Sequence, residues 1–135
     1  MIVVDTNIIG YLFLTSEKST LTEQAFQKDS LWAAPLLWRS EMRNVLALYL
    51  RKGFLSLENT HRIMEEATNL MMSKEYEVTS HQVLELVNIS TCSAYDCEFV
   101  ALARDLNVPL LSLDRQILKD FPDTSISLEA FVGAK

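Results

Sequence analysis

Apolar residues in this chain alternate between short aliphatic runs and longer stretches where they recur every three or four positions. The runs are Ile2, Val3 and Val4, closed by Asp5; residues 31–34, stopped by Pro35; residues 76–78; residues 109–113, closed by Asp114; and residues 125–128. Such blunt runs fit strands buried on both faces of a parallel sheet. Between them the helical period prevails. Residues 36–52 place Leu37, Val45 and Leu48 on one side and stop at Arg51, Lys52 and Gly53. Ser56 caps a second helix, in which Ile63, Ala67, Leu70 and Met71 share a face, and Ser80 opens a third through Val83, Leu84 and Val87. Residues 93–106 give the clearest helix, with Phe99, Val100 and Ala103 along one side and Asn107 at its end. Shorter helices are expected over 8–14, capped by Thr6 or Asn7, over 20–28 and over 115–119. This alternation predicts an α/β fold, a parallel sheet with helices on both faces. No repeat, low-complexity tract or linker divides the chain, so residues 1–135 are read as one domain.

Composition narrows the function. Half-apolar content (49%) with 22% charged residues suits a packed core and excludes disorder. A net charge of −6 argues against a protein that coats nucleic acid with cations, but not against an enzyme that grips a phosphodiester through metal. No apolar run approaches the ~18 residues of a membrane span, so no membrane is expected as partner. The apolar start lacks a basic region and is interrupted by Asp5 and Asn7, unlike a secretory leader. Cys92 and Cys97 are too few for a disulfide framework and have no zinc-ligand spacing. They read as reduced, buried thiols of a cytoplasmic protein. His61 and His81 have no ligand partners at usable spacing and are expected at the surface.

The candidate chemistry lies in four acids. Asp5 and Asp114 each follow a strand, and ligands of open parallel sheets bind beyond the carboxyl ends of the strands. Asp96 falls in the first turn of the 93–106 helix, whose start belongs to the same edge. Each of these three also fits a capping role, Asp5 and Asp114 as N-caps and Asp96 in a capping box with Ser93. Glu41 is different. On the 36–52 helix it follows Leu37 by four and precedes Val45 by four, which sets a carboxylate on the apolar stripe. A lone charge there costs several kcal/mol unless paired or bound to metal. Arg39 and Arg43 point elsewhere on the helix, while Asn44 can face the same cleft. Four acids without His or Cys make an all-oxygen site suited to Mg²⁺ or Mn²⁺, whose matching chemistry is phosphodiester hydrolysis.

Val3-Val-Asp-Thr-Asn7, Ser40-Glu41, the block from Ser93 to Ala103 and the block from Val108 to Asp114 resemble, in order, a PIN domain. More narrowly, the chain resembles the VapC-type toxin ribonucleases of bacterial toxin–antitoxin pairs. The resemblance implies a five-stranded parallel sheet with the first strand central and a Mg²⁺-dependent endoribonuclease. It assigns the catalytic, metal-binding acids to Asp5, Glu41, Asp96 and Asp114, with Asn7 and Ser93 ordering the site. It also implies a cognate antitoxin and a homodimer. Two positions depart: Ser112 stands where many members have Thr, and Gln116 where many have a further acid, which favours a one-metal resting state.

Other readings fit less well. A haloacid-dehalogenase phosphatase needs Asp where Asn7 stands, and a receiver domain needs an acidic pair before its first helix. A catalytically silent PIN-like module binding RNA or protein, and a metal-dependent DNA nuclease, remain as alternatives. Among the cations Arg115, next to Asp114, is the candidate phosphate contact. The apolar stretch near Leu12, Phe13 and Leu14 is the expected antitoxin contact. Trp32, Trp38, Met64 and Met71 are read as core, and Met72 as a partner-facing residue.

Overall fold

The computed structural model describes residues 1–133. Five strands alternate with helices: β1 (Ile2–Val4), α1 (Thr6–Phe13), α2 (Ser19–Lys28), β2 (Trp32–Pro35), α3 (Trp38–Arg51), α4 (Leu57–Met71), β3 (Glu75–Tyr76), α5 (Ser80–Asn88), α6 (Ala94–Leu106), β4 (Leu110–Ser112), α7 (Arg115–Asp120), β5 (Ser125–Ser127) and α8 (Leu128–Gly133). The strands form one parallel sheet in the order β3-β2-β1-β4-β5, so β1 is central as expected. Val3 pairs with Ala33 on one side and Leu110 on the other.

The chain winds outward from β1 to β3, crosses back over β1, and continues to β5. With right-handed crossovers, this reversal puts α1–α4 on one face and α5–α7 on the other. The packing agrees. Helices α1, α2, α3 and α4 contact one another, whereas α5 packs on α6, and α6 lies across β1, β2 and β4. Ile2, Val3, Val4, Ala33, Ala34, Leu110 and Leu111 are sealed between the layers, which is why these strands lack polar alternation.

Helix boundaries follow their caps. Ser56, Thr79 and Ser93 each accept a backbone N–H at the start of α4, α5 and α6, and Asn107 ends α6 in the left-handed conformation. α5 opens at Ser80 as expected, with Thr79 as its N-cap. Asp5, rather than Thr6 or Asn7, caps α1.

Three expectations are corrected. In α3 the buried face is Trp38, Met42 and Leu46, not Leu37, Val45 and Leu48, and Leu48 is exposed. The helix offers two overlapping apolar stripes, and the one carrying the indole wins the core. In α5, Val83 and Leu86 are buried while Leu84 faces out. The last strand stops at Ser127, and Leu128 begins α8, a helix the sequence reading lacked; Leu128 and Phe131, three apart, both turn inward.

Trp32, Trp38 and Met71 are fully buried, Met64 is half-buried and Met72 is exposed, all as expected. Both cysteines are free and buried, and His61 and His81 are exposed. Arg39 forks onto Glu75 through Nε (2.5 Å) and Nη2 (2.6 Å), and Trp38 Nε1 donates to the same carboxylate (2.7 Å). This ties the start of α3 to β3 and orients the first turn that carries Glu41.

Candidate active site

β1 and β4 are neighbours whose continuations leave toward opposite faces, the arrangement that opens a crevice at the carboxyl edge of a doubly wound sheet. Asp5 follows β1 immediately, and its backbone N–H still donates to Leu111 O of β4 (3.0 Å). Asp114 lies two residues beyond β4. Glu41 sits in the first turn of α3 and Asp96 in the first turn of α6. All four carboxylates line one open cleft of about 480 Å³, together with Thr6, Asn7, Leu37, Ser40, Asn44, Val45 and Tyr95.

Two hydroxyls organise these acids. Ser112 Oγ donates to Asp5 Oδ2 (2.9 Å) and accepts from the Asp114 backbone N–H (3.0 Å), linking the ends of the two strands. Thr6, buried, donates through Oγ1 to Glu41 Oε1 (2.7 Å), while its backbone N–H donates to Asp5 Oδ1 (2.8 Å). Asp114 Oδ1 accepts from the N–H groups of Gln116 (2.8 Å) and Ile117 (3.1 Å) and so caps α7. Ser93 Oγ accepts from the Asp96 N–H (3.1 Å). The capping roles are thus real for Asp5 and Asp114, and they are compatible with the cleft because each leaves the side chain at its floor.

Electrostatically the cleft is uncompensated. Burial pushes the Asp5 carboxyl up to about 6 against the hydrogen bonds from Ser112 and Thr6, and the charges of Glu41 and Asp96 add to the rise. Burial also raises Glu41, opposed by the Thr6 hydroxyl and helped by Asp96. Asp96 is raised by burial and then by Asp114, with the Ser93 hydrogen bonds opposing. Glu98, one turn beyond Asp96's neighbour Tyr95, is raised by burial and by Glu41. Among the described residues none of the four acids is in an ion pair, and no Lys or Arg lines the cleft.

Asn7 and Asn44 line the cleft as expected. Ser93 acts on it indirectly, by capping α6. Arg115 is exposed in the first turn of α7 and is not part of the lining, because the helix that Asp114 caps turns it to solvent. Glu41 is not on the core stripe of α3. It stands at the border of that stripe with Leu37, Asn44 and Val45, facing the crevice. Thr6, Ser40 and Tyr95 belong to the lining but were not singled out from the sequence. The signal for Thr6 was its position between an acid and an amide directly after a strand.

The donor set, carboxylate oxygens and no nitrogen or sulfur, is of the kind that hard divalent cations take. The oxygens left over by the hydrogen bonds are Glu41 Oε2 and Asp114 Oδ2, with Asp96 sharing its carboxylate with Ser93 and Asp5 held by Thr6 and Ser112. Among the described residues no three His, Cys, Asp or Glu side chains already stand as a metal-binding group. The residues fit a hard cation in the chemistry of their donors, not as a ready-made cluster.

The family model for the PIN domain matches residues 2–131. The chain belongs to the PIN domain family. Ribonuclease VapC3 of Pyrobaculum aerophilum is 27% identical over 124 residues, covering 90% of this chain and 95% of that protein. The crystal structure of PAE2754 from the same organism superposes with a TM-score of 0.76 at 18% identity, over 97% of this chain and 92% of its own. A toxin–antitoxin complex from Klebsiella pneumoniae gives 0.71 at 15% identity, over 95% and 98%. These structural likenesses bear on the fold alone.

Proposed function

We propose that this PIN domain is a Mg²⁺-dependent endoribonuclease, with Mn²⁺ able to substitute, and that it acts in the cytoplasm as the toxin of a toxin–antitoxin pair. The observation that carries the reading is the set of four carboxylates lining one cleft without a countercharge among the described residues. Keeping Asp5 there at the expense of several kcal/mol of desolvation is hard to account for in a purely structural site. Asp5, Asp96, Asp114 and Glu41 would hold the cation, and Thr6 and Ser112 hold those side chains in place. A bound Mg²⁺ supplies an activated water and neutralises the leaving oxygen of a phosphodiester. Glu41 Oε2 is the oxygen that Thr6 leaves free for such a cation. The names of the relatives, a ribonuclease VapC3 and a toxin–antitoxin complex, support RNA as substrate and an antitoxin as partner.

The antitoxin surface is better placed in a groove between α1, α3 and α4 than on the α1 run itself. Leu14 is buried, and Leu12 and Phe13 are half-covered by the core. Phe13, Tyr49, Phe54, Leu55 and Ile63 line that groove, with Arg62 and Glu66 beside them and Phe54 69% exposed. A homodimer would cover further exposed aliphatic residues.

Purified protein should cleave RNA with Mg²⁺ or Mn²⁺ and stop in EDTA. Asp96→Asn should keep the fold, because Ser93 is the cap of α6, while losing at least roughly a hundredfold in rate. Undiminished cleavage by that variant, or cleavage of DNA alone, would overturn the reading.

A further inference from the structure

The acid cleft holds an aromatic ring that has no hydrogen-bond or ring partner among the described residues. Tyr95 lies in the first turn of α6, immediately before Asp96, and 62% of it is exposed although it lines the cleft. Among the described residues its hydroxyl makes no hydrogen bond and its ring packs on no other ring; the aromatic pairs are Phe26 with Trp32 and Tyr49 with Phe54. A large, rigid, unpartnered ring beside a carboxylate is not explained by packing, since removing it would uncover little core.

The rest of the lining gives the ring a context. Leu37 and Val45 add an aliphatic ledge, and Ser40, Asn7 and Asn44 add neutral donors and acceptors. Among the described residues no Lys or Arg is in the lining to hold a polyanion there. Beyond whatever cation the acids hold, a flat π-face offers a nucleic acid bound at this cleft further sequence-independent affinity. Base–aromatic stacking works with any base and needs the base free of its duplex.

Building on the nuclease reading of this cleft, we infer that Tyr95 is a stacking platform for an unpaired nucleobase next to the phosphate held at the acids. The contact needs a base that is not stacked within a continuous duplex. Ser40 and Asn44 are on the lining where the edge of such a base would be read. Because the contact is between a ring and a base, it depends little on salt, unlike binding through phosphate-neutralising side chains.

The test uses a fluorescently labelled single-stranded oligoadenylate, its DNA counterpart and a hairpin duplex of equal length, each titrated with wild type, Tyr95→Phe and Tyr95→Ala in Ca²⁺ and in EDTA. The same proteins are assayed for cleavage in Mn²⁺. Tyr95→Phe should bind the single strand like wild type, and Tyr95→Ala should bind it between about 5-fold and 150-fold more weakly. The loss should persist at raised salt, with all three proteins sharing one melting temperature. Equal binding of the single strand by Tyr95→Ala and wild type, or a preference for the duplex, overturns the inference even if RNA is cleaved in Mn²⁺. Absence of cleavage by wild type together with the predicted loss of binding in Tyr95→Ala leaves the stacking platform standing and removes the nuclease reading instead. Equal loss in Tyr95→Phe assigns the effect to the hydroxyl and overturns stacking.

Discussion

Asp5 allows a calculation that needs no substrate. Its carboxyl is pushed from the ordinary 3.8 up to about 6 in the folded protein, chiefly by burial. The folded state therefore holds this proton more tightly than the unfolded chain does, and binds more protons between those two values. Stability must fall as pH rises through that window, with the penalty absent below about 3.8 and fully developed above about 6. At 1.36 kcal/mol per pH unit, the two-unit shift amounts to about 3 kcal/mol at neutral pH. Asp5→Asn removes the charge but keeps only one acceptor oxygen for the N–H of Thr6 and the hydroxyl of Ser112, a loss of about 1 kcal/mol. The variant should then be more stable than wild type by about 2 kcal/mol at pH 7.5, a rise in melting temperature of roughly 6–8 °C. At pH 4 the two proteins should nearly coincide. Thermal unfolding followed by circular dichroism, in EDTA at both pH values, measures this. A variant that is no more stable than wild type at pH 7.5, or one stabilised equally at both pH values, refutes the reasoning.

Other perturbations follow from the same network. Glu41→Gln retains an acceptor for the Thr6 hydroxyl and removes a charge whose burial is unfavourable, so in EDTA at neutral pH it should melt above wild type, and it should gain less from Mn²⁺. Ser112→Ala deletes the donor to Asp5 and the acceptor of the Asp114 N–H. It should lower stability by about 1–2 kcal/mol in urea titrations, with the larger loss at pH 7.5, where Asp5 is ionised.

The parts of this fold legible in the sequence are those where one physical signal dominates. Ile2, Val3 and Val4 have no polar alternation because both faces of β1 are covered, and Ser93 and Asn107 mark both ends of α6 by their own conformations. The topology places Asp5 and Asp114 at one edge before any contact is known. What was not legible arose from competition. Residues 37–48 carry two apolar stripes about 100° apart, and only the sheet decides that Trp38 and Met42 go inward and Leu48 outward. Residues 125–128 read as a strand, but α8 begins at Leu128, where Leu128 and Phe131, three apart, both turn inward. Arg115 was drawn to the site by adjacency to Asp114, whereas capping geometry fixes its direction to solvent. The pairing of Thr6 with Glu41 joins residues 35 apart and has no local trace.

The central claim is that four carboxylates with no countercharge constitute a cation site. Calorimetric titration of Mn²⁺ into metal-free protein at pH 7.5 tests it directly, since it requires neither RNA nor a partner. The account predicts saturable binding to wild type, with affinity at least about tenfold weaker in Asp96→Asn. At a hundredfold excess over Kd, that binding should add about 2.7 kcal/mol to the stability of the folded wild type. Titration heats no different from dilution, or equal affinity in Asp96→Asn, would leave Asp5 and Asp114 as helix caps and contradict the claim.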